Sequence, residues 1–197
     1  MCPAIYDFMM NTIAVVCCAI AIKLTDDWLD REQDHLACRK NWSSILGTGT
    51  MVYAMLFLII AAAINGTVSL PLFLASYVVG MFHDLTNRFP LGLSGWQESL
   101  IILGLSIILF GWNQTAFALL VVAAVQLCDD CYDLTSDCMA GQRNFAAQFG
   151  CVECLLAALL SFLGAWWLNR FLFETVAIGI IIGYLATSRK GLAKHHG

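Results

Sequence analysis

The sequence predicts an all-α, multi-spanning membrane protein, and three observations carry that prediction. Hydrophobic residues make up 60% of the 197 positions and charged residues only 12%. The mean hydropathy is +0.77. Apolar runs of roughly 14 to 20 residues recur along the chain, close to what a helix needs to cross the hydrocarbon layer. A soluble domain of this length needs far less apolar surface. The formal net charge of −4 says little about partners, because the acids are gathered in two places. Composition points to a lipid bilayer and to no nucleic acid.

Seven transmembrane helices in one domain, residues 1–197, fit the pattern: 5–24, 45–64, 69–82, 95–112, 115–131, 152–168 and 171–186. The first run lacks a basic leader and a small-residue cleavage site and leads straight into acids, so it reads as a retained helix. Asn65-Gly66-Thr67 and Gly111-Trp112-Asn113-Gln114 have turn composition, and Pro71 is tolerable in a first helical turn, where no amide donor is missed. Residues 100–127 could instead form one long tilted helix. Basic residues decide between the two, because cytoplasmic loops are enriched in Lys and Arg. Seven spans with the N-terminus outside put nine of the ten basic residues inside, leaving only Arg170 outside; six spans reduce this to six against four. Seven spans therefore place the C-terminus and both acidic segments on the cytoplasmic face. Trp166 and Trp167 beside Arg170 read as an outer interfacial anchor.

The acids form two cassettes 103 positions apart, Asp26, Asp27, Asp30 and Asp34, then Asp129, Asp130, Asp133 and Asp137. Both read D-D-x-x-D-x-x-x-D, and with Glu32 they hold nine of the fourteen acidic residues. Charges beside hydrocarbon must be hydrated, paired or bound to metal. On a helix end, Asp27, Asp30 and Asp34 fall at i, i+3 and i+7, and Asp130, Asp133 and Asp137 repeat the stripe. Mg²⁺ is commonly held by one or two carboxylates together with phosphate oxygens, so paired stripes suit a diphosphate ligand. Solvated acidic loops are the bland alternative. Cys128-x-x-Cys131 and Cys151-x-x-Cys154 match a zinc-site spacing. At helix ends, however, cysteine serves as a small apolar residue, and the chain carries nine of them. A reducing cytoplasm would not sustain a stable disulfide.

Asp26 through Asp34 resembles the first signature of the UbiA superfamily of intramembrane prenyltransferases. Asp130 through Asp137, followed by Arg143 to Gly150, is similar to its second. The segment from Tyr77 through Arg88 to Glu98 resembles the family's middle cytoplasmic loop, although the basic residue after the Tyr is out of register. The resemblance implies a ring of helices with cytoplasmic Asp-rich caps. Family members usually carry nine helices, and seven are expected here, so the resemblance also implies a site more open to the lipid or closed by a membrane protein partner. Asp26 stands where the family's leading Asn is usual.

The implied activity is Mg²⁺-dependent transfer of a prenyl group from an allylic prenyl diphosphate to a lipophilic, aromatic acceptor. All eight cassette aspartates would be metal ligands, with Asp30 and Asp133 central to catalysis. Arg88 and Arg143 would stabilise the leaving diphosphate, Lys23 would assist, and Tyr77 and Tyr132 would shield the carbocation with their ring faces. A membrane terpene cyclase or prenyl-diphosphate lyase shares the ionisation step. A non-catalytic subunit of the same fold is the alternative from another class.

Overall fold

The computed structural model describes residues 3–31, 41–81, 92–140 and 144–187, and every element among them is an α-helix. In chain order these are α1 (Pro3–Leu29), α2 (Trp42–Leu46), α3 (Gly49–Met81), α4 (Gly95–Phe110), α5 (Trp112–Ala140), α6 (Phe145–Phe149), α7 (Cys151–Leu168) and α8 (Arg170–Thr187). Among the described residues, five intervals are long and apolar enough to cross a membrane: Ile5–Leu29, Gly49–Gly80, Trp112–Thr135, Cys151–Leu168 and Arg170–Thr187. α4 is apolar but shorter. This is the pattern of a multi-pass membrane protein, in which helices satisfy their backbone groups without water.

The helix boundaries differ from the expected spans where polar pairs prolong a helix. α1 runs beyond Leu24 to Leu29, and α5 runs beyond Cys131 to Ala140. Lys23 Nζ lies 3.1 Å from Asp27 Oδ1, and Gln126 Nε2 donates to Asp130 Oδ1 at 3.1 Å. Pairs four residues apart support a helix end of this kind. The expected span 45–64 is also divided. The chain first forms the single turn α2, stops at Gly47 with φ 55° and ψ −134°, and starts again at Gly49.

Inside α3 the backbone leaves helical geometry at Asn65, with φ −153° and ψ 90°. Asn65 Nδ2 donates to Asn11 Oδ1 at 2.6 Å, and Cys18 Sγ donates to the Ser69 carbonyl at 3.2 Å. Trp42, by contrast, is held at Asp27, near the other end of α1. Residues 49–64 therefore run back along α1, and 66–70 run forward again. At about 1.5 Å per residue, the path from Asp27 to Asn11 and the path from Gly49 to Ile64 have nearly the same length, ~24 Å. Asn65 is a chain reversal, as its turn composition predicts.

The chain divides into two compact units, one of residues 1–70 with 171–197 and one of residues 71–170. In the first, α1 buries Ala14, Val15, Cys18, Ala21 and Leu24, and α8 runs parallel to it. Phe171 meets Phe8 edge-on at 6.3 Å near one end, and Trp42 Nε1 donates to the Thr187 carbonyl at 3.1 Å near the other. Between them Gly179 and Gly183 face α1. A Cβ on Gly179 would lie 2.7 Å from Val15 Cβ, and one on Gly183 would lie 2.8 Å from Ala19 Cβ. Glycines four apart allow this close approach in a bilayer, where dispersion contacts rather than water drive association.

In the second unit α5 packs along α7, and α6 packs against both. Phe117, Ala118, Val121 and Ala124 form the buried stripe of α5, matched on α7 by Cys154, Ala158 and Ala165. α4 joins α5 through Gly111, whose φ is 82°, and Ser106 Oγ and Thr115 Oγ1 meet across the junction at 3.0 Å.

Candidate functional site

The two aspartate cassettes end in the same local structure, built independently in each unit. In the first, the buried Asp27 accepts the backbone N–H of Trp42 on Oδ2 at 2.9 Å, while Lys23 pairs with Oδ1. In the second, the buried Asp130 accepts the backbone N–H of Phe145 on Oδ2 at 2.8 Å, while Gln126 donates to Oδ1. Asn41 Nδ2 donates to the Asp27 carbonyl at 3.2 Å, and Asn144 Nδ2 to the Asp130 carbonyl at 2.8 Å. Each asparagine also caps the short helix that follows. Asn41 Oδ1 accepts from Ser44 N at 2.8 Å, and Asn144 Oδ1 accepts from Ala147 N at 3.1 Å. Each short helix then stops at a glycine of positive φ, Gly47 at 55° and Gly150 at 102°.

Every element of this lock recurs at the cassette spacing of 103: Lys23 and Gln126, Asp27 and Asp130, Asn41 and Asn144, Trp42 and Phe145, Gly47 and Gly150. The chain carries an internal repeat that extends well beyond the acids. Asn65 and Asn169, at a spacing of 104, continue it with nearly the same backbone, Asn169 at φ −156° and ψ 93°. The short turn after each acidic helix forms because a buried carboxylate and an asparagine together satisfy its first amides, which no preceding turn can do.

The lock divides the labour within each cassette. Asp27 and Asp130 are 6% and 5% exposed, and both oxygens of each carboxylate are engaged by protein groups. Asp26 and Asp30 are exposed, and Asp129 and Asp133 are half-buried. The members of each of these pairs stand four residues apart in sequence. In the first cassette α1 ends at Leu29, and Asp30 continues the turn by donating its N–H to the Asp26 carbonyl at 2.9 Å. In the second, Asp129 through Asp137 all lie on α5, and Asp137 Oδ2 accepts from Asn144 Nδ2 at 2.9 Å.

The remaining expected site residues have other surroundings. Lys23 is paired with Asp27, which gives it a structural task. Tyr77 donates its hydroxyl to Glu98, a carboxylate only 8% exposed in the first turn of α4. Tyr132 is 75% exposed. Asp34, Arg88 and Arg143 lie outside the described residues. Among the described residues, no three His, Cys, Asp or Glu side chains converge to hold an ion. A pair of carboxylates four residues apart is nonetheless a hard-oxygen donor set that suits Mg²⁺, which keeps several waters and takes its other ligands from phosphates.

Beside the second lock lies an apolar cavity of about 510 Å³. Val79, Ala123, Ala157 and Glu153 line it together with two residues of the lock, Gln126 and Phe145. That size is in the range of pockets that enclose a small lipophilic molecule. Residues 41–47 and Gln126 are the participants that motif reasoning omits, while 144–150 and Glu98 lie inside the quoted motifs without a role assigned to them. Residues 41–47 and Gln126 are detectable by extending the repeat of 103 positions outside the acids.

Fold and site together define a helical, multi-pass membrane protein with duplicated, carboxylate-locked helix ends. No family model, curated protein or solved structure matches this chain.

Proposed function

We propose that the chain is a Mg²⁺-dependent intramembrane prenyltransferase of the UbiA type, acting on an allylic prenyl diphosphate and a lipophilic aromatic acceptor. The observation that carries this reading is the repeated lock. It ties Asp27 and Asp130 to their helix ends, where Asp26, Asp30, Asp129 and Asp133 also stand and where carboxylates can meet a diphosphate-bound metal. In this reading seven helices cross the membrane, helped by the reversal at Asn65, and both cassettes face the cytoplasm.

Mg²⁺ supplies charge neutralisation to the departing diphosphate. Asp26 and Asp30 in the first cassette, and Asp129 and Asp133 in the second, would each be carboxylate ligands for such an ion, while Asp27 and Asp130 keep their own helix ends in place. Arg88 and Arg143 stabilise negative charge on the leaving group. The apolar cavity beside Phe145 receives hydrocarbon and excludes water from the allylic cation, which then alkylates the acceptor. A cyclase or lyase would use the same ionisation without an acceptor. A membrane protein partner completes the helix ring.

The test is incubation of the purified protein with labelled geranyl, farnesyl and geranylgeranyl diphosphates, with Mg²⁺ or with EDTA. Mg²⁺-dependent diphosphate release, lost in Asp30→Asn and Asp133→Asn, is expected. Release that is absent, or indifferent to EDTA and to both substitutions, overturns the reading and leaves the non-catalytic subunit.

A further inference from the structure

The internal repeat shows how the cavity beside the second lock arises. The buried stripe of α1 recurs on α5 at the spacing of 103: Ala14 and Phe117, Val15 and Ala118, Cys18 and Val121, Ala21 and Ala124 are all buried. At the cavity the two copies part. Leu24, Thr50 and Ala54 are buried in the first, whereas their counterparts Leu127, Glu153 and Ala157 line the cavity and are half-buried or exposed. Where Gly183 lets α8 close on Ala19, its counterpart at a spacing of 104 is Val79, whose branched side chain stands at the cavity wall.

Two of these exchanges alter the chemistry as well as the space. Thr50 Oγ1 donates to the Gly47 carbonyl at 2.8 Å. Glu153, in the same place, brings a carboxylate that only accepts, and this group lies over the bare Cα of Gly150, where a Cβ would stand 3.0 Å from Glu153 Cδ. Lys23, the cation paired with Asp27, is replaced by Gln126. Gln126 turns Nε2 toward Asp130, which keeps its amide oxygen off that carboxylate and leaves Oε1 as a further acceptor on a residue that lines the cavity. The second copy has thus lost a positive charge at Gln126 and gained a negative one at Glu153. The rings of Phe145 and Phe149, stacked at 6.2 Å, share the same wall. A carboxylate beside apolar surface must be hydrated or paired, and ring faces attract cations.

We propose that this cavity is a binding site for a lipophilic primary amine. The ammonium head donates to the Glu153 carboxylate and to Gln126 Oε1 beside the two rings, and the hydrocarbon tail lies along Val79, Ala123 and Ala157. A fatty acid of the same length meets repulsion at Glu153, and an alcohol gains only neutral hydrogen bonds. The proposal does not rest on prenyl chemistry. Because the site overlaps the space assigned above to hydrocarbon, a bound amine would compete there with a prenyl chain.

Photolabelling of the native protein in lipid nanodiscs tests it, with dodecylamine carrying a diazirine in its chain and the alcohol and carboxylic acid of the same chain as comparisons. The amine should label the peptides that contain Val79, Ala123 and Ala157, and excess dodecylamine should displace it. The alcohol and the acid should label them about tenfold less, the factor that an accessible ion pair and a cation–π contact together supply. Glu153→Gln should reduce amine labelling to the level of the alcohol, and Ala157→Phe, which fills the cavity, should remove it. Equal labelling by amine and alcohol, preference for the acid, or amine labelling that survives Glu153→Gln overturns the proposal. The comparison of amine with alcohol on the native chain decides even where a variant fails to fold. Diphosphate release does not enter the readout, so failure here leaves the prenyltransferase reading standing, and failure of that reading leaves this one.

Discussion

Asn144→Asp is the sharpest test of the lock, because it keeps the shape of the side chain and changes only what its amide does. Asn144 is 5% exposed; its Nδ2 donates at 2.8 Å to the Asp130 carbonyl and at 2.9 Å to Asp137 Oδ2, while its Oδ1 caps Ala147 N at 3.1 Å. The introduced carboxylate still caps α6 but loses both donor bonds. The bond to a carboxylate is worth ~2 kcal/mol and the neutral one ~1 kcal/mol. Repulsion from Asp137 adds to that loss. A total of about 3 kcal/mol corresponds to a fall in melting temperature of roughly 6 to 12 °C for a chain of this size. The sign of the pH dependence follows from the same geometry. Repulsion from Asp137 favours protonation of the introduced carboxyl, and the protonated form regains one O–H donor toward Asp137. The deficit should therefore shrink as pH falls and be largest at neutral pH. Circular dichroism melts in detergent at two pH values, with Asn144→Ala as a variant whose deficit stays constant, measure it. An Asn144→Asp protein as stable as the native chain at neutral pH, or with a deficit that does not respond to acid, would refute the lock.

Four further outcomes rest on the same structure. Asp130→Asn should lower stability by ~1 to 2 kcal/mol, because a charged acceptor of the Phe145 N–H becomes neutral. Asp133→Asn should abolish Mg²⁺-dependent diphosphate release. Gly179→Ala should destabilise by ~1 to 3 kcal/mol through overpacking against Val15 and Thr12, whereas Gly104→Ala, with open space at its Cβ, should cost nothing or stabilise slightly in the same denaturation assay. Gly150→Ala should cost ~1 to 3 kcal/mol, because φ 102° with ψ 144° belongs to glycine and the new Cβ would collide with the Glu153 carboxylate. Partial relief in Gly150→Ala/Glu153→Ala, read by the same melts, would separate the collision from the backbone strain.

The helices were legible because each apolar run is long, and the turns at Asn65 and Gly111 because their residues favour irregular backbone. The acid pairs were equally visible, but spacing alone could not tell which aspartate of a doublet faces inward. That choice depends on Asn41 and Asn144, 14 positions after the aspartates they secure, and on the backbone amides of residues that composition marks only as loop. Spacing therefore grouped Asp27 and Asp130 with the other aspartates and could not single them out as the buried ones. The pairing of Gly179 and Gly183 with α1 was illegible for a different reason. A glycine in an apolar run announces that something can approach, and its partner here lies more than 160 positions earlier. Tyr77 and Glu98 were each visible, but their hydrogen bond depends on packing between helices that no periodicity reports.

The packing of α8 along α1 has a consequence for the order of assembly. During synthesis α1 enters the bilayer first among the described helices, and the helix that covers its Val15 and Ala19 is the last of them to emerge. Until then the narrow groove prepared for two glycines has only lipid or a chaperone to fill it, and the first cassette lacks the Thr187 carbonyl that anchors the Trp42 indole. The second unit, whose members are contiguous from residue 71 to 170, is under no such delay. Long-range contacts close late because the intervening loop must be ordered first. The two copies of the lock should thus mature at different times, the second in sequence becoming rigid before the first.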